Sequence, residues 1–242
     1  DVAIISHSNE PQATPLCALS GIKTILKVPN FKNEFKAFHY NPPTPMITDD
    51  YTVLNRLKNL EFLGFPSKNT RVELFLKDTW KEGAKSFLNG FSEYKKIGIQ
   101  IGASTVSQQW FDDRWFELAK MLLELENIAI VFTGSPSEAR RAQKVASKLQ
   151  SKKVLVSAGT LSLGEGAALI GELDLFISAD TGPLHIAVAL QTPTLSLFAV
   201  AEPACSLPNY DRDLHRFIKV PKTCDPCVGK RCKYQKCMEQ IE

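Results

Sequence analysis

Apolar and polar positions divide the chain into short apolar runs and longer runs whose apolar residues recur at helical spacing. After residue 95 the two kinds alternate regularly, from KIGIQIGAS and DDRWFELAKMLLELE to LDLFISAD, GPLHIAVAL and TPTLSLFAV. Short apolar runs bounded by Gly or Pro are typical of strands buried on both faces. Repeated strand–helix units require parallel pairing with right-handed crossovers. The pattern therefore predicts a Rossmann-like domain from Lys95 to about Val220.

The first part of the chain is predicted to be α/β as well. DVAIISHS predicts a strand, PLCALSGIKTILKV a short helix and a strand, and residues 49–65 a helix after an aspartate cap. RVELFL predicts another strand and KDTWKEGAKSFLNGF another helix. With a boundary near Gly90 to Lys96, the chain has three regions. They are a partial N-terminal domain at 1–92, a C-terminal domain at 93–220 and a cysteine-rich tail at 221–242.

Composition narrows the class of protein. The 242 residues are 44% hydrophobic, which is enough for one large or two modest globular domains. The net charge of +3 is spread along the chain, so no nucleic-acid footprint is indicated. No apolar run approaches the roughly 20 residues of a membrane-spanning helix. No basic segment precedes the first apolar one, as it would in a signal peptide, so a cytoplasmic protein is expected.

Small or hydroxylated residues follow the strands of the C-terminal domain, at 102–104, 133–135, 157–159 and 179–182. The carboxyl ends of parallel strands form the crevice where ligands bind, and small residues there let phosphates reach backbone N–H groups. One such turn is ordinary in α/β proteins. Four in succession, with a cluster of Asp, Thr, Gly, Pro and His after the last, favour a nucleotide site.

These same segments resemble a known family. DTGPLHIAVALQTPTLSLF is similar to the sugar-nucleotide signature of the bacterial lipopolysaccharide heptosyltransferases, and IGASTVSQQWFDDRWFELAKML to their other C-terminal signature. CDPCVGKRCKYQKCMEQI resembles a tail found in a subset of the family. The resemblance covers nearly all of the chain. It implies the GT-B arrangement of two facing Rossmann-like domains, of which the N-terminal, acceptor-side one is incomplete here.

The resemblance also implies a function. The C-terminal domain binds a nucleotide-sugar, with an ADP-sugar favoured, and the sugar, heptose or another, passes with inversion to a lipopolysaccharide, lipid-linked or other polysaccharide acceptor. No cofactor is required for transfer. Independently of the resemblance, basic residues around the tail cysteines predict peripheral contact with phosphorylated lipid at the inner membrane. The alternative is a non-catalytic relative that binds nucleotide-sugars or glycans with a drifted donor pocket.

Donor-binding residues follow from the resemblance position by position. A diphosphate and sugar site is expected around Asp180, Thr181, Gly182 and His185, where His185 would otherwise be an ordinary core histidine. Glu138 is expected to accept hydrogen bonds from ribose, and Leu161 to pack on adenine or, equally, in the core. The remaining lining residues come from the turns after the first two strands of the domain: Gly102, Ala103, Ser104 and Gly134.

Two departures from the family pattern affect the donor side. Gln108 and Gln109 occupy the region where the family often has a lysine that reaches the phosphates. Ala199 and Val200 follow the last apolar strand in place of Gly-Pro. The family's catalytic base is an Asp beside a Gly-rich first loop, which is expected to lie outside this chain, so the base is not assigned to any residue.

Four of the six cysteines form a separate cluster in the tail. Cys224, Cys227, Cys232 and Cys237 have the spacing C-x2-C-x4-C-x4-C, which can provide four thiolates for one tetrahedral metal ion. Zinc is the first choice, an iron–sulfur cluster the second, and two disulfides are the alternative. A closed structural site away from the donor crevice is expected.

Overall fold

The computed structural model describes residues 1–6, 11–27, 35–40 and 51–242. The chain forms two compact units, Asp1–Thr70 and Arg71–Glu242. Both are α/β with parallel strands, so the predicted fold class is confirmed. None of the helices described is long and apolar enough to cross a membrane.

The first unit contains a two-stranded parallel sheet. Val2 pairs with Thr24 and Ile5 with Lys27, and a helix connects the two strands. This confirms the strand–helix–strand predicted for the start of the chain. Asp49 and Asp50, the predicted cap of the second helix, lie outside the described residues. The elements of this unit are β1 (Val2–Ile5), α1 (Ala13–Leu19), β2 (Thr24–Lys27) and α2 (Thr52–Phe62).

The second unit is built on a six-stranded sheet in which every neighbouring pair is parallel. Its strands are β3 (Lys95–Gln100), β4 (Ile128–Thr133), β5 (Val154–Val156), β6 (Leu175–Ala179), β7 (Thr194–Phe198) and β8 (His215–Lys219). Its helices are α3 (Asp78–Phe87), α4 (Asp112–Leu123), α5 (Ala139–Lys148), α6 (Leu163–Gly171), α7 (Gly182–Ala189) and α8 (Pro203–Ser206).

The strand order β5-β4-β3-β6-β7-β8 positions the candidate site. The chain builds outward from β3 to β5, then returns and builds outward on the other side from β6. The loops after β3 and β6 therefore lead away from each other, which leaves a crevice at the carboxyl ends of these two neighbouring strands.

Both faces of the sheet are buried, as the continuous apolar runs predict. Ile130 and Phe132 of β4 lie in one core cluster, together with Trp115 of α4. Val131, between them, lies in the cluster on the opposite face with Leu169 of α6. This alternation follows from the pleat of the strand, and it fixes which helices cover each face.

Helix α3 lies in the second unit, whose boundary therefore precedes the predicted one at residues 92–93. The ring of Trp80 packs directly on Gly164 of α6, where an added Cβ would lie 2.3 Å from the ring. Glycine therefore allows α3 to approach α6 closely. Assignment of the two predicted domains to acceptor and donor stays a prediction.

One predicted strand is absent from the structure, and one observed strand was not predicted. The segment RVELFL (71–76) is not a strand, although its pattern alternates. The amide of Val72 donates to the Tyr210 hydroxyl at 3.0 Å, and Phe75 is 85% exposed. Strand β8 was not predicted, since HRFIK is short and three of its five residues are exposed. It forms the edge of the sheet beside β7.

Candidate donor-binding site

A single side chain joins the two turns at the crevice. Gln108 lies in the loop between β3 and α4 (residues 101–111, the β3–α4 loop), and Asp180 directly follows β6. The Gln108 amide nitrogen donates to the Asp180 carbonyl at 2.9 Å and to its carboxylate Oδ2 at 2.8 Å. The Thr105 hydroxyl donates to Gln108 Oε1 at 2.6 Å, which fixes the orientation of the amide. The two turns are therefore tied together.

This contact explains one departure from the family pattern. Gln108 is 4% exposed and Asp180 is 7% exposed, so the carboxylate is buried against a neutral donor. Burying a carboxylate is costly unless hydrogen bonds replace those of water. Gln108 supplies two hydrogen bonds to this residue but no positive charge. The only signal in the sequence for the contact between Gln108 and Asp180 was a glutamine at the place of the expected lysine.

Glu138 brings two of the predicted glycines together. Its Oε2 accepts hydrogen bonds from the Ser135 amide at 2.7 Å and the Ser135 hydroxyl at 2.9 Å, a capping box of the 3-10 turn Pro136–Glu138 that leads into α5. An added Cβ on Gly102 would lie 1.5 Å from Glu138 Oε1, and one on Gly134 would lie 3.1 Å from Oε2. The carboxylate therefore lies over the ends of both β3 and β4.

The start of α7 presents groups suited to an anion. Thr181 is the N-cap residue, and its hydroxyl is buried without a hydrogen-bond partner among the described residues. The first amides of a helix have no partner within the helix, and the helix dipole favours negative charge there. The buried hydroxyl of Ser107 likewise has no partner in the described part of the chain. Nothing in the sequence pattern had pointed to Ser107.

The other predicted residues are placed differently. Ala103 is buried, and its carbonyl accepts from the Gln109 side chain at 2.9 Å, whereas Ser104 is exposed. His185 is exposed on α7, unlike the core histidine of the alternative interpretation. Leu161 packs against the core cluster of α3 and α6, which favours its interpretation as a core residue. Contacts of these residues with a ligand stay predictions.

The loop after β7 is held by a lysine from β8. Lys219 donates to the carbonyls of Ala199 at 3.0 Å and Ala201 at 2.6 Å, and it pairs with Glu202 at 3.3 Å. Burial alone would raise the pKa of Glu202, but Lys219 and Lys222 lower the pKa below its ordinary value. The segment that replaces the family's Gly-Pro is therefore fixed by backbone contacts with a cation.

The predicted metal site is not supported by the arrangement of the cysteines. All six cysteines are free thiols. Among the described residues, no three Cys, His, Asp or Glu side chains are arranged to hold one metal ion. Desolvation raises the pKa of Cys224, and the neighbouring thiols of Cys227, Cys237 and Cys232 raise it further. The cysteines as placed do not fit a zinc ion or an iron–sulfur cluster.

The tail does not lie away from the crevice, so that prediction is wrong. Its short 3-10 turn Gly229–Arg231 packs against the turn Val106–Gln108 of the β3–α4 loop. The reason is a set of hydrogen bonds and buried side chains distant in sequence, which the cysteine spacing could not reveal.

Comparison with known proteins places these features in a family. Residues 31–238 match the model of glycosyltransferase family 9 (heptosyltransferase). The chain is 33% identical to lipopolysaccharide heptosyltransferase 1 of Pseudomonas aeruginosa over 55% of this chain and 36% of that protein. It is 27% identical to the lipopolysaccharide core heptosyltransferase OpsX of Haemophilus influenzae over 72% of this chain and 48% of that protein. The chain thus spans half or less of the length of these two relatives.

Solved structures show the same fold. The glycosyl transferase family 9 protein of Veillonella parvula aligns with a TM-score of 0.80 and 21% identity over 93% of this chain and 64% of that one. The E. coli heptosyltransferase WaaC with ADP aligns with a TM-score of 0.65 and 18% identity over 91% of this chain and 67% of that one. The chain has the GT-B glycosyltransferase fold and belongs to glycosyltransferase family 9 (heptosyltransferase).

Proposed function

We propose that the protein binds a nucleoside-diphosphate sugar at the carboxyl ends of β3 and β6 and transfers the sugar to a lipopolysaccharide or another glycan. An ADP-sugar is the favoured donor, and heptose is the first sugar to test. The main support is the convergence of Glu138, two glycine turns and the Gln108–Asp180 contact at the switch point of the sheet. Membership of family 9 supports the same assignment.

Backbone amides and hydroxyl groups bind the diphosphate in this proposal. The amides of Thr181 and Gly182 at the start of α7 donate to phosphate oxygens, aided by the helix dipole. The buried hydroxyls of Thr181 and Ser107 have unused donors in the described structure. Together these groups replace part of the hydration that a diphosphate loses on binding.

Carboxylates recognise the sugars. Oε2 of Glu138 is held by Ser135, whereas Oε1 faces Gly102. Acidic residues after a strand of a nucleotide-binding sheet commonly accept hydrogen bonds from ribose, so Glu138 is assigned to the ribose. Asp180 accepts from hydroxyls of the transferred sugar, and Gln108 holds its carboxylate in position.

Transfer is a displacement at the anomeric carbon. An acceptor hydroxyl loses its proton to a base and bonds to this carbon from the face opposite the diphosphate. The bond to the phosphate oxygen breaks at the same carbon, which inverts its configuration. The leaving diphosphate gains negative charge, which the α7 amides and a protonated His185 stabilise. The base is not assigned to a residue.

Two experiments test the proposed function, the first on nucleotide binding and the second on sugar transfer. In the first, thermal shift compares ADP, UDP, GDP and CMP on the full-length protein, and ADP is expected to protect best. In the second, mass spectrometry follows transfer from an ADP-sugar to a lipopolysaccharide acceptor, with Asp180→Asn as the control of reduced activity. Equal or absent protection by all four nucleotides contradicts the donor site. Protection by ADP without transfer favours the non-catalytic binding protein.

Two further predictions concern the whole protein. Peripheral contact with a lipid surface stays a prediction about the acceptor side. Metal in the tail also stays a prediction, and elemental analysis of protein purified under reducing conditions decides it. Zinc near one per chain would require the cysteines to move together, whereas none would agree with their observed arrangement.

A further inference from the structure

The tail (residues 221–242) is hydrogen-bonded to the loop that carries Gln108. The Gln235 side-chain amide donates to the Gln109 carbonyl at 2.9 Å. The Trp110 indole donates to the Ile241 carbonyl at 3.1 Å. The Arg114 guanidinium donates to the Glu239 carbonyl at 2.7 Å and also to that of Ile241. These contacts span more than a hundred residues of sequence, and they join the tail to the β3–α4 loop and to the first turn of α4.

Apolar packing anchors the tail beneath these hydrogen bonds. Met238 is fully buried and Ile241 is 3% exposed, and both belong to the core cluster of the second unit. They share it with Trp110 and Trp115, whose rings pack edge to face with centroids 4.7 Å apart. Burial of these apolar side chains stabilises the packing of the tail against the loop.

The β3–α4 loop carries this restraint to the crevice. The Gln109 side chain donates to the Ala103 carbonyl at 2.9 Å, and Arg141 donates to the Trp110 carbonyl at 2.8 Å. The peptide after Gln109 is thereby fixed from several sides. Gln108 immediately precedes Gln109 and makes the two hydrogen bonds to Asp180. A rotation of the Gln109 carbonyl would move the Gln108 backbone and disturb those bonds.

We propose that Gln235 is a positioning residue of the donor site and that the tail is a structural part of this site. By holding the Gln109 carbonyl, Gln235 keeps Gln108 in the orientation that fixes the Asp180 carboxylate. It touches neither donor nor acceptor in this proposal. The inference rests on the proposed donor binding at the crevice.

The tail contains its own matched control. Gln240 has the same side chain, but its amide donates to the carbonyls of Pro221 at 2.9 Å and Cys237 at 3.3 Å, both within the tail. Gln235→Ala and Gln240→Ala therefore each remove a glutamine amide from the tail. Only Gln235→Ala removes a hydrogen bond to the β3–α4 loop.

Calorimetric titration of the full-length protein with ADP tests the proposal. Gln235→Ala is expected to weaken ADP binding about fivefold, the effect of losing one ordinary hydrogen bond, and Gln240→Ala less than about twofold. Both variants are expected to lower the melting temperature by similar amounts. In a Gln108→Ala background, Gln235→Ala should have an effect on ADP affinity of less than about twofold, since its action passes through Gln108.

Equal losses of ADP affinity in the two variants would overturn the proposal, as would an undiminished effect in the Gln108→Ala background. Hydrogen–deuterium exchange without nucleotide separates it from the donor assignment. Faster exchange at residues 103–110 in Gln235→Ala, but not in Gln240→Ala, supports positioning of the loop even if wild type does not bind ADP. Unchanged exchange there in both variants contradicts positioning, whereas wild type failing to bind ADP contradicts the proposed function.

Discussion

The two ends of the six-stranded sheet use polar residues in different ways. At the amino end, Asp174 accepts from the Lys96 amide at 2.8 Å and pairs with the Lys96 ammonium at 3.8 Å. Arg71 and Asp211 form an ion pair of 2.7 Å beside β8. At the carboxyl end, Asp180 is held by a neutral amide and Glu138 lies over glycine. The Asp174 and Asp211 carboxylates at the amino end pair with cations, whereas Asp180 and Glu138 at the ends of β6, β3 and β4 are oriented by the neutral donors of Gln108 and Ser135.

The polar residues at the amino end therefore stabilise the fold, whereas those at the carboxyl end are arranged to bind a ligand. Opposite charges at the amino end leave little capacity for a ligand, and exposed pairs of this kind contribute about 0–1 kcal/mol. At the carboxyl end, the buried hydroxyls of Ser107 and Thr181 lack partners among the described residues. Such unused groups are costly in an empty protein and useful when a ligand supplies the missing bonds.

Gly102→Ala should have the largest effect on ADP binding, because Gly102 leaves room for the Glu138 carboxylate at the carboxyl end of the sheet. The new Cβ would lie 1.5 Å from Glu138 Oε1, so the carboxylate must leave its position. We expect ADP affinity to fall about a hundredfold in calorimetric titration, near the upper end of the roughly 1.5–3 kcal/mol of one charged hydrogen bond.

The matched control is Gly166→Ala on α6, where an added Cβ meets nothing within 4 Å. It should keep ADP affinity and raise the melting temperature slightly, since Ala favours helix over Gly by about 1 kcal/mol. Unchanged ADP affinity in Gly102→Ala would mean that Glu138 and its glycines do not form the donor site.

Asp180→Asn should reduce sugar transfer roughly tenfold to a hundredfold, because it removes a charged acceptor while keeping the shape of the side chain. Asp174→Asn provides the comparison at the amino end: it should lower the free energy of unfolding by about 1 kcal/mol and leave transfer unchanged. His185→Ala, at an exposed position, should reduce transfer without affecting folding. If Asp180→Asn unfolds the protein while Asp174→Asn does not, Asp180 is structural.

The same two ends show what a sequence can predict. Apolar runs in β3, β4, β6 and β7 report burial on both faces, so they predicted the core strands correctly. A strand also needs a neighbour, and alternation alone could not show that RVELFL pairs with no strand among the described residues. The edge strand β8 lacked the apolar signal because three of its five residues are exposed.

For the site, local sequence predicted the turns but not the contacts between them. Gly102 and Glu138 were chosen separately, and the structure brings them together. Gln108 to Asp180 and Gln235 to Gln109 are hydrogen bonds between residues far apart in sequence. Such pairs depend on the strand order and on the course of the tail, neither of which is encoded in the spacing of residues within one segment.

Leu161→Ala tests whether Leu161 belongs to the core or to the donor site. Leu161 packs against the cluster of α3 and α6, so its truncation should lower the free energy of unfolding by about 1–2 kcal/mol, less than for a fully buried leucine. ADP affinity should change less than about twofold. Urea denaturation and ADP titration of the same variant measure both. A large loss of affinity with unchanged stability would instead support the contact with adenine.

The smallest expected effect is a pH dependence of the free energy of unfolding caused by His215, at the amino end of β8. Burial lowers the pKa of His215, as does the nearby Arg71, whereas Asp211 acts in the opposite direction. Its Nδ1 lies 3.1 Å from the Thr194 hydroxyl, and Nε2 is buried without a partner in the described residues. The unfolded chain therefore takes up a proton more readily than the folded one. Stability contributed by the neutral histidine is present above about pH 6.5 and declines as pH falls below it.

Urea denaturation at about pH 7.5 and about pH 5.5 checks this decline. His215→Gln should reduce the loss of free energy of unfolding between these two pH values, and the difference from wild type isolates His215 from the other three histidines. An equal loss in both proteins would show that His215 does not contribute to the pH dependence of the free energy of unfolding.

Hydrogen–deuterium exchange of the full-length protein with and without ADP tests the central claim most directly, since it reads both ends of the sheet at once. The account predicts slower exchange with ADP in peptides covering 102–110, 134–138 and 180–185, and no change in peptides covering 211–217. Protection confined to 211–217, or no protection of the three carboxyl-end segments under saturating ADP, would contradict it.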